Sequence, residues 1–122
     1  MRAKILIVED DKSLRFVFKS MLVTAGFEVE TAKNGQEGLK KVDKYKPDLI
    51  LLDVVMPVMD GYDFLKNLKA DIKIRVIVLT GLNKEEVEMK AKLLGADDFL
   101  RKDDIHLTEL LEKVNKVLKI KK

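Results

Sequence analysis

A chain of 122 residues makes one ordinary domain, residues 1–122, and can bury roughly two-thirds of its unfolded surface without a covalent or metal staple. Its 47% hydrophobic and 37% charged residues exclude disorder, and the absence of cysteine, with His106 the single histidine, excludes disulfide scaffolds, thiol chemistry, iron–sulfur clusters and cysteine or multi-histidine zinc centres. Net charge is +3, from 24 basic residues without the clustering of a nucleic-acid binder, and no apolar run approaches the roughly 18 residues of a membrane span; a cytoplasmic chain with no direct nucleic-acid or membrane partner is expected.

Residues 5–8 are apolar at every position, as suits a central parallel strand buried on both faces. Leu14, Val17, Phe18, Met21, Leu22 and Ala25 then recur at helical spacing, and Gly26 stops that helix. Residues 28–31 alternate in polarity, the pattern of an edge strand. Asn34 with Glu37 caps a second helix carrying Leu39, Val42 and Tyr45, which ends at Pro47. Residues 49–52 form another fully apolar strand. Asp60 with Asp63 caps a third helix containing Phe64, Leu65 and Leu68. Residues 76–79 are a further buried strand. Asn83 with Glu86 caps a fourth helix, marked by Val87, Ala91 and Leu94 and stopped by Gly95. Residues 98–101 are short and half polar, as suits the other edge. Leu107, Leu110, Leu111, Val114, Val117 and Leu118 mark a fifth helix.

Five β-α units in succession predict an α/β fold, a five-stranded parallel sheet with helices on both faces; with strands 2 and 5 as the edges, the order 2-1-3-4-5 fits. Ligands of such sheets bind beyond the carboxyl ends of the strands. The residues there are Glu9 and Asp10 after strand 1, Asp53 after strand 3, Thr80 and Gly81 after strand 4, and Lys102 after strand 5. Three carboxylates on one rim repel unless a cation joins them. With oxygen ligands only, the cation expected is Mg2+. Mg2+ beside a lysine and a hydroxyl makes a phosphoryl site, with Asp53 as nucleophile and Gly81 leaving room near the backbone.

The segments ILIVEDD, LLDVVMPVMDGYDFL, VIVLTG and GADDFLRK together resemble the receiver domain of two-component response regulators, over essentially the whole chain. The resemblance implies a flavodoxin-like (βα)5 fold and a phosphoacceptor signalling module that catalyses only its own phosphorylation and dephosphorylation. It implies Asp53 as phosphoacceptor. Asp10 becomes a direct Mg2+ ligand, Glu9 one acting mostly through water, and the Val55 carbonyl a further ligand. Thr80 and Lys102 would contact phosphoryl oxygens, and Phe99 takes the place of the switch aromatic. The partners implied are a histidine kinase or histidine phosphotransfer protein and an output protein that the sequence does not name. A monomer is expected, able to dimerise through helix 4, strand 5 and helix 5 on phosphorylation. Asp11, Leu14, Phe16 and Asp103 form a candidate partner patch beside the site.

The chain departs from the family where Lys-Pro usually ends strand 5; here Asp103-Asp104-Ile105 follows Lys102. A trans Lys102–Asp103 bond and a rearranged loop are therefore expected, since a cis bond without proline costs about 2.5–4 kcal/mol. Asp103 could also compete for Lys102. Phe99 lacks the hydroxyl of the commoner tyrosine. Val55 and Leu82 cannot orient an attacking water, so slow self-dephosphorylation is expected. Two other readings compete. A Mg2+-dependent aspartyl-phosphate phosphohydrolase would need a general acid where Val55 stands. A receiver-like interaction module acting without phosphorylation would leave five matching strand-end residues unexplained. His106 is read as a surface or capping residue.

Overall fold

The structure, a computed structural model, describes residues 2–54, 61–68, 74–81, 84–102 and 106–119. Along the chain run β1 (Lys4–Val8), α1 (Lys12–Thr24), β2 (Glu28–Ala32), α2 (Gly35–Tyr45), β3 (Leu49–Asp53), α3 (Gly61–Asn67), β4 (Arg75–Thr80), α4 (Lys84–Leu93), β5 (Asp98–Arg101) and α5 (Leu107–Leu118). The strands form one parallel sheet in the order β2-β1-β3-β4-β5, with the two half-polar strands at its edges as expected.

Alternation along the strands divides the core into two layers. Ile5, Ile7, Leu49, Leu51, Ile77 and Leu79 face one way and pack with Phe18 and Leu22 of α1 and Leu110, Val114 and Val117 of α5. Leu6, Val8, Ile50, Leu52, Val76 and Val78 face the other way, against Val42 of α2 and Phe64 and Leu65 of α3. The three central strands are apolar at successive positions because both their faces are covered.

Local chemistry sets the helix ends. Asp11 Oδ1 accepts from the Leu14 N–H at 3.0 Å and caps α1. Asn34 Oδ1 accepts from the Glu37 N–H at 2.9 Å, and Glu37 Oε1 reaches back to the Lys33 N–H at 3.0 Å. Gly26 and Gly95 follow α1 and α4 at φ 100° and 102°, a conformation that costs glycine little. Lys46 takes a left-handed φ of 54° at the C-cap of α2, one residue before Pro47. His106 stands at the N-cap position of α5 without a side-chain cap hydrogen bond.

Three core assignments are corrected. Ala25 is exposed and stands at the C-cap of α1, past its buried stripe. Val17 is 41% exposed and Leu107 44% exposed, so each lies at the border of its helix stripe rather than inside it. The Asp60 and Asn83 caps and the Val87 and Ala91 side chains lie outside the described residues.

Candidate functional site

Sheet register gathers the polar strand ends. Val8 pairs with Leu52, Asp53 with Leu79, and Thr80 with Arg101. Glu9, Asp53, Thr80 and Lys102 therefore emerge at neighbouring points of one rim. Glu9, Asp53 and Thr80 are the buried polar or charged side chains among the described residues, exposed by 0%, 1% and 2%. Burying polar side chains costs free energy unless each finds partners, so three of them at one rim signal a built site.

Lys102 supplies part of the compensation. Its Nζ donates to Asp53 Oδ2 at 2.9 Å and lies 3.5 Å from Glu9 Oε1. Its backbone N–H donates to Thr80 O at 2.7 Å, which fixes the end of β5 against β4. Burial pulls the Lys102 ammonium down, but the hydrogen bond and charge of Asp53, with the charge of Glu9, outweigh it and raise its pKa.

Glu9 is held by its neighbours and yet is left short. Its N–H donates to Ala32 O at 3.0 Å, and its Oε2 accepts from the Asp11 N–H at 3.0 Å. Its Oε1 is buried without a hydrogen bond. Burial first, and the Asp53 charge with it, push the Glu9 carboxyl up from its ordinary 4.5 to about 8 against the opposing Asp11 hydrogen bond. A buried acid in that position needs either a proton or a further cation.

Asp10 is exposed beside it, and one carboxylate oxygen each from Glu9, Asp10 and Asp53 lie within 4.8 Å of one another. An all-oxygen donor set with an orphaned buried oxygen fits a hard divalent cation such as Mg2+. The Val55 carbonyl, Leu82, Asp103 and the Lys102–Asp103 bond lie outside the described residues.

Thr80 and Phe99 lie toward the opposite layer from Asp53. Phe99 packs partly buried against the α2–α3 layer of the core, and both residues line a cavity of about 160 Å3 together with Glu88, Arg101, Glu109 and Lys113. An alanine Cβ at Gly81 would meet nothing within 4 Å, so the backbone beyond Thr80 borders open space. Gly61 is the opposite case. A Cβ there would lie 2.4 Å from Val54 Cα and 2.7 Å from the Asp53 carbonyl oxygen. The start of α3 thus presses on the backbone of the acidic strand end.

The partner patch needs correction. Phe16 is 70% exposed, but Leu14 is half-buried against the α1–α5 layer of the core. Two residues apart on a helix is a rotation of about 200°, so the pair do not share a face. Asp11 is exposed and already spends one oxygen capping α1. Reading α1 by its apolar positions alone also passes over Arg15, whose Nη1 donates to the carbonyls of Glu9 at 2.9 Å and Asp10 at 3.3 Å. The available signal was a basic residue one turn into a helix that follows an acidic loop.

Known proteins share both sequence and shape. The response regulator receiver domain family matches residues 5–115. The chemotaxis protein CheY of Bacillus subtilis is 37% identical over 120 residues, covering 97% of this chain and 99% of that protein. The alkaline phosphatase synthesis transcriptional regulatory protein PhoP of Bacillus subtilis is 38% identical over 103 residues, 84% of this chain; the match spans only 43% of PhoP. The Vibrio cholerae chemotaxis protein CheY4 superposes with a TM-score of 0.89 at 35% identity, covering 96% of this chain and 99% of that one. With the strand order, the buried rim and these relatives in agreement, the chain belongs to the response regulator receiver domain family.

Proposed function

We propose that this chain accepts a phosphoryl group on Asp53 from a phosphohistidine donor, in a Mg2+-dependent reaction. Receiver domains are signalling modules that bind Mg2+ at an acidic pocket and interact with histidine kinases and output proteins. The observation that carries the reading here is the confinement of the buried polar side chains, among the described residues, to the rim where Asp53 meets Glu9 and Lys102.

In this reading Glu9, Asp10, Asp53 and the Val55 carbonyl hold the cation. Bound there, Mg2+ supplies positive charge against the oxygens of the transferring group. An Asp53 carboxylate oxygen attacks phosphorus. The P–O bond forms as the P–N bond breaks, and the imidazole keeps the electron pair of the broken bond. Lys102 moves its hydrogen bond from the Asp53 carboxylate to a phosphoryl oxygen, and Thr80 donates its hydroxyl to another. Pulling Thr80 toward Asp53 changes the wall of the cavity that it shares with Phe99. The α4–β5–α5 surface then shifts between two populations, limited by the phosphoryl group's differential contacts in each.

The test is incubation with Mg2+ and acetyl phosphate, followed by intact mass. The wild type gains one phosphoryl group; Asp53→Ala gains none, and neither does the wild type in EDTA. Equal labelling of Asp53→Ala would overturn the assignment.

A further inference from the structure

Arg15 is the one described side chain that ties α1 to the backbone of the acidic loop at two points. Its Nη1 donates to the carbonyl oxygens of Glu9 and Asp10 at 2.9 and 3.3 Å, and its own backbone N–H donates to Asp11 O at 2.9 Å. One residue thus bonds three successive peptides. The side chains on that loop depend on it unequally. Glu9 is fully buried and anchored by the Asp11 N–H, so packing holds it. Asp10 is exposed, so its carboxylate is placed by the backbone beneath it.

We propose that Arg15 is a positioning residue for divalent-cation binding. It fixes the backbone from Glu9 to Asp11 so that the Asp10 carboxylate stays within reach of Glu9 and Asp53. The inference rests on the reading of those three carboxylates as a cation site.

Charge and geometry make opposite demands at this position. A guanidinium beside a cation site repels the cation, so a role through charge alone predicts tighter binding when Arg15 is neutralised. A role in holding the loop predicts weaker binding. Arg15→Met removes the charge and every side-chain donor at nearly constant bulk, and keeps the backbone N–H that bonds Asp11 O. Arg15→Lys keeps the charge but replaces the planar fork with a compact ammonium on a flexible stem.

The experiment titrates the full chain with Mn2+ and follows free Mn2+ by electron paramagnetic resonance, with Mg2+ as competitor. The wild type binds one Mn2+, and Asp10→Asn abolishes it. Arg15→Met weakens binding about tenfold or more, the usual effect of losing a group that orients a metal ligand. Arg15→Lys weakens it by a smaller factor. Val114→Ala, a truncation in the core layer under α5, lowers the melting temperature and leaves Mn2+ affinity unchanged, which separates positioning from general destabilisation. Should Arg15→Met fail to fold, Arg15→Lys carries the test. Either Arg15 variant, folded and binding Mn2+ as tightly as the wild type, overturns the inference and leaves the cation site standing. A wild type that binds no Mn2+ overturns both.

Discussion

Glu9 makes the metal-free protein sensitive to pH in a direction opposite to ordinary carboxylates. In the unfolded chain its carboxyl ionises near 4.5; in the folded protein burial, with Asp53 beside it, holds the proton until about pH 8. Between those values the folded state keeps a proton that the unfolded state has lost, so rising pH favours unfolding. Each pH unit inside the window is worth up to about 1.4 kcal/mol for a single group, and the whole window is on the order of a few kcal/mol. For a domain of this size that is roughly 10–20 °C in melting temperature. Lys102 does not contribute in this range. Its pKa is raised above the usual 10.5, so its stabilisation is complete below that value and is lost only as pH climbs through the folded one. The assay is a series of thermal melts from about pH 5 to pH 9 in EDTA, repeated in Mg2+. In EDTA the wild type loses stability through the window and levels off above it. Mg2+ restores most of the loss at high pH, because the cation takes the ionised carboxylate. Glu9→Gln melts with a flatter profile in EDTA and gains little from Mg2+. A wild-type profile without slope in EDTA, or the same slope in Glu9→Gln, would refute the assignment of that proton to Glu9.

Three further outcomes follow from the same geometry. Lys102→Met leaves the Asp53 and Glu9 carboxylates without their ammonium, so it lowers stability in EDTA and tightens Mg2+ binding by roughly tenfold, equivalent to about 1.4 kcal/mol; a thermal melt in EDTA reads the first and calorimetric titration the second, and weaker binding would count against competition between Lys102 and the cation. Gly61→Ala forces a Cβ into the Val54 and Asp53 backbone and costs about 1–3 kcal/mol in urea denaturation, whereas Gly81→Ala, with open space around it, stays within about 0.5 kcal/mol. Phosphorylated protein, freed of phosphodonor but kept in Mg2+, retains its label for minutes or longer, since Val55 and Leu82 offer no group to orient water; intact mass against time checks this, and a lifetime of seconds contradicts it.

How far these features could be read from residues alone depended on whether the physics was local. The three central strands were legible because burial on both faces leaves a run with no polar position, and the polar residue next in line is then the strand end. Glu9, Asp53 and Thr80 were found that way, and Lys102 by counting past the short edge strand. The Asn34 cap was legible because donor and acceptor sit three residues apart. The Glu9 carboxyl's retained proton was not legible, since it depends on tertiary burial and on Asp53, 44 residues distant. Arg15 showed only as a basic residue one turn into a helix after an acidic loop, because its partners are carbonyl oxygens that carry no side-chain signature. Val17 was misplaced because helical spacing marks a stripe without marking its edges, and the adjoining sheet sets those. Leu14 and Phe16 share a partner patch only by the resemblance to a family whose first helix faces the phosphodonor, and the helix turns them apart.

The central claim is that Asp53 is the phosphoacceptor. The most direct measurement reduces the phosphorylated protein with borohydride, which converts an aspartyl phosphate to homoserine, and maps the product by peptide mass spectrometry. The account predicts homoserine at position 53 and at no other aspartate. Homoserine at position 10 or 11, or a label that resists reduction altogether, would contradict it.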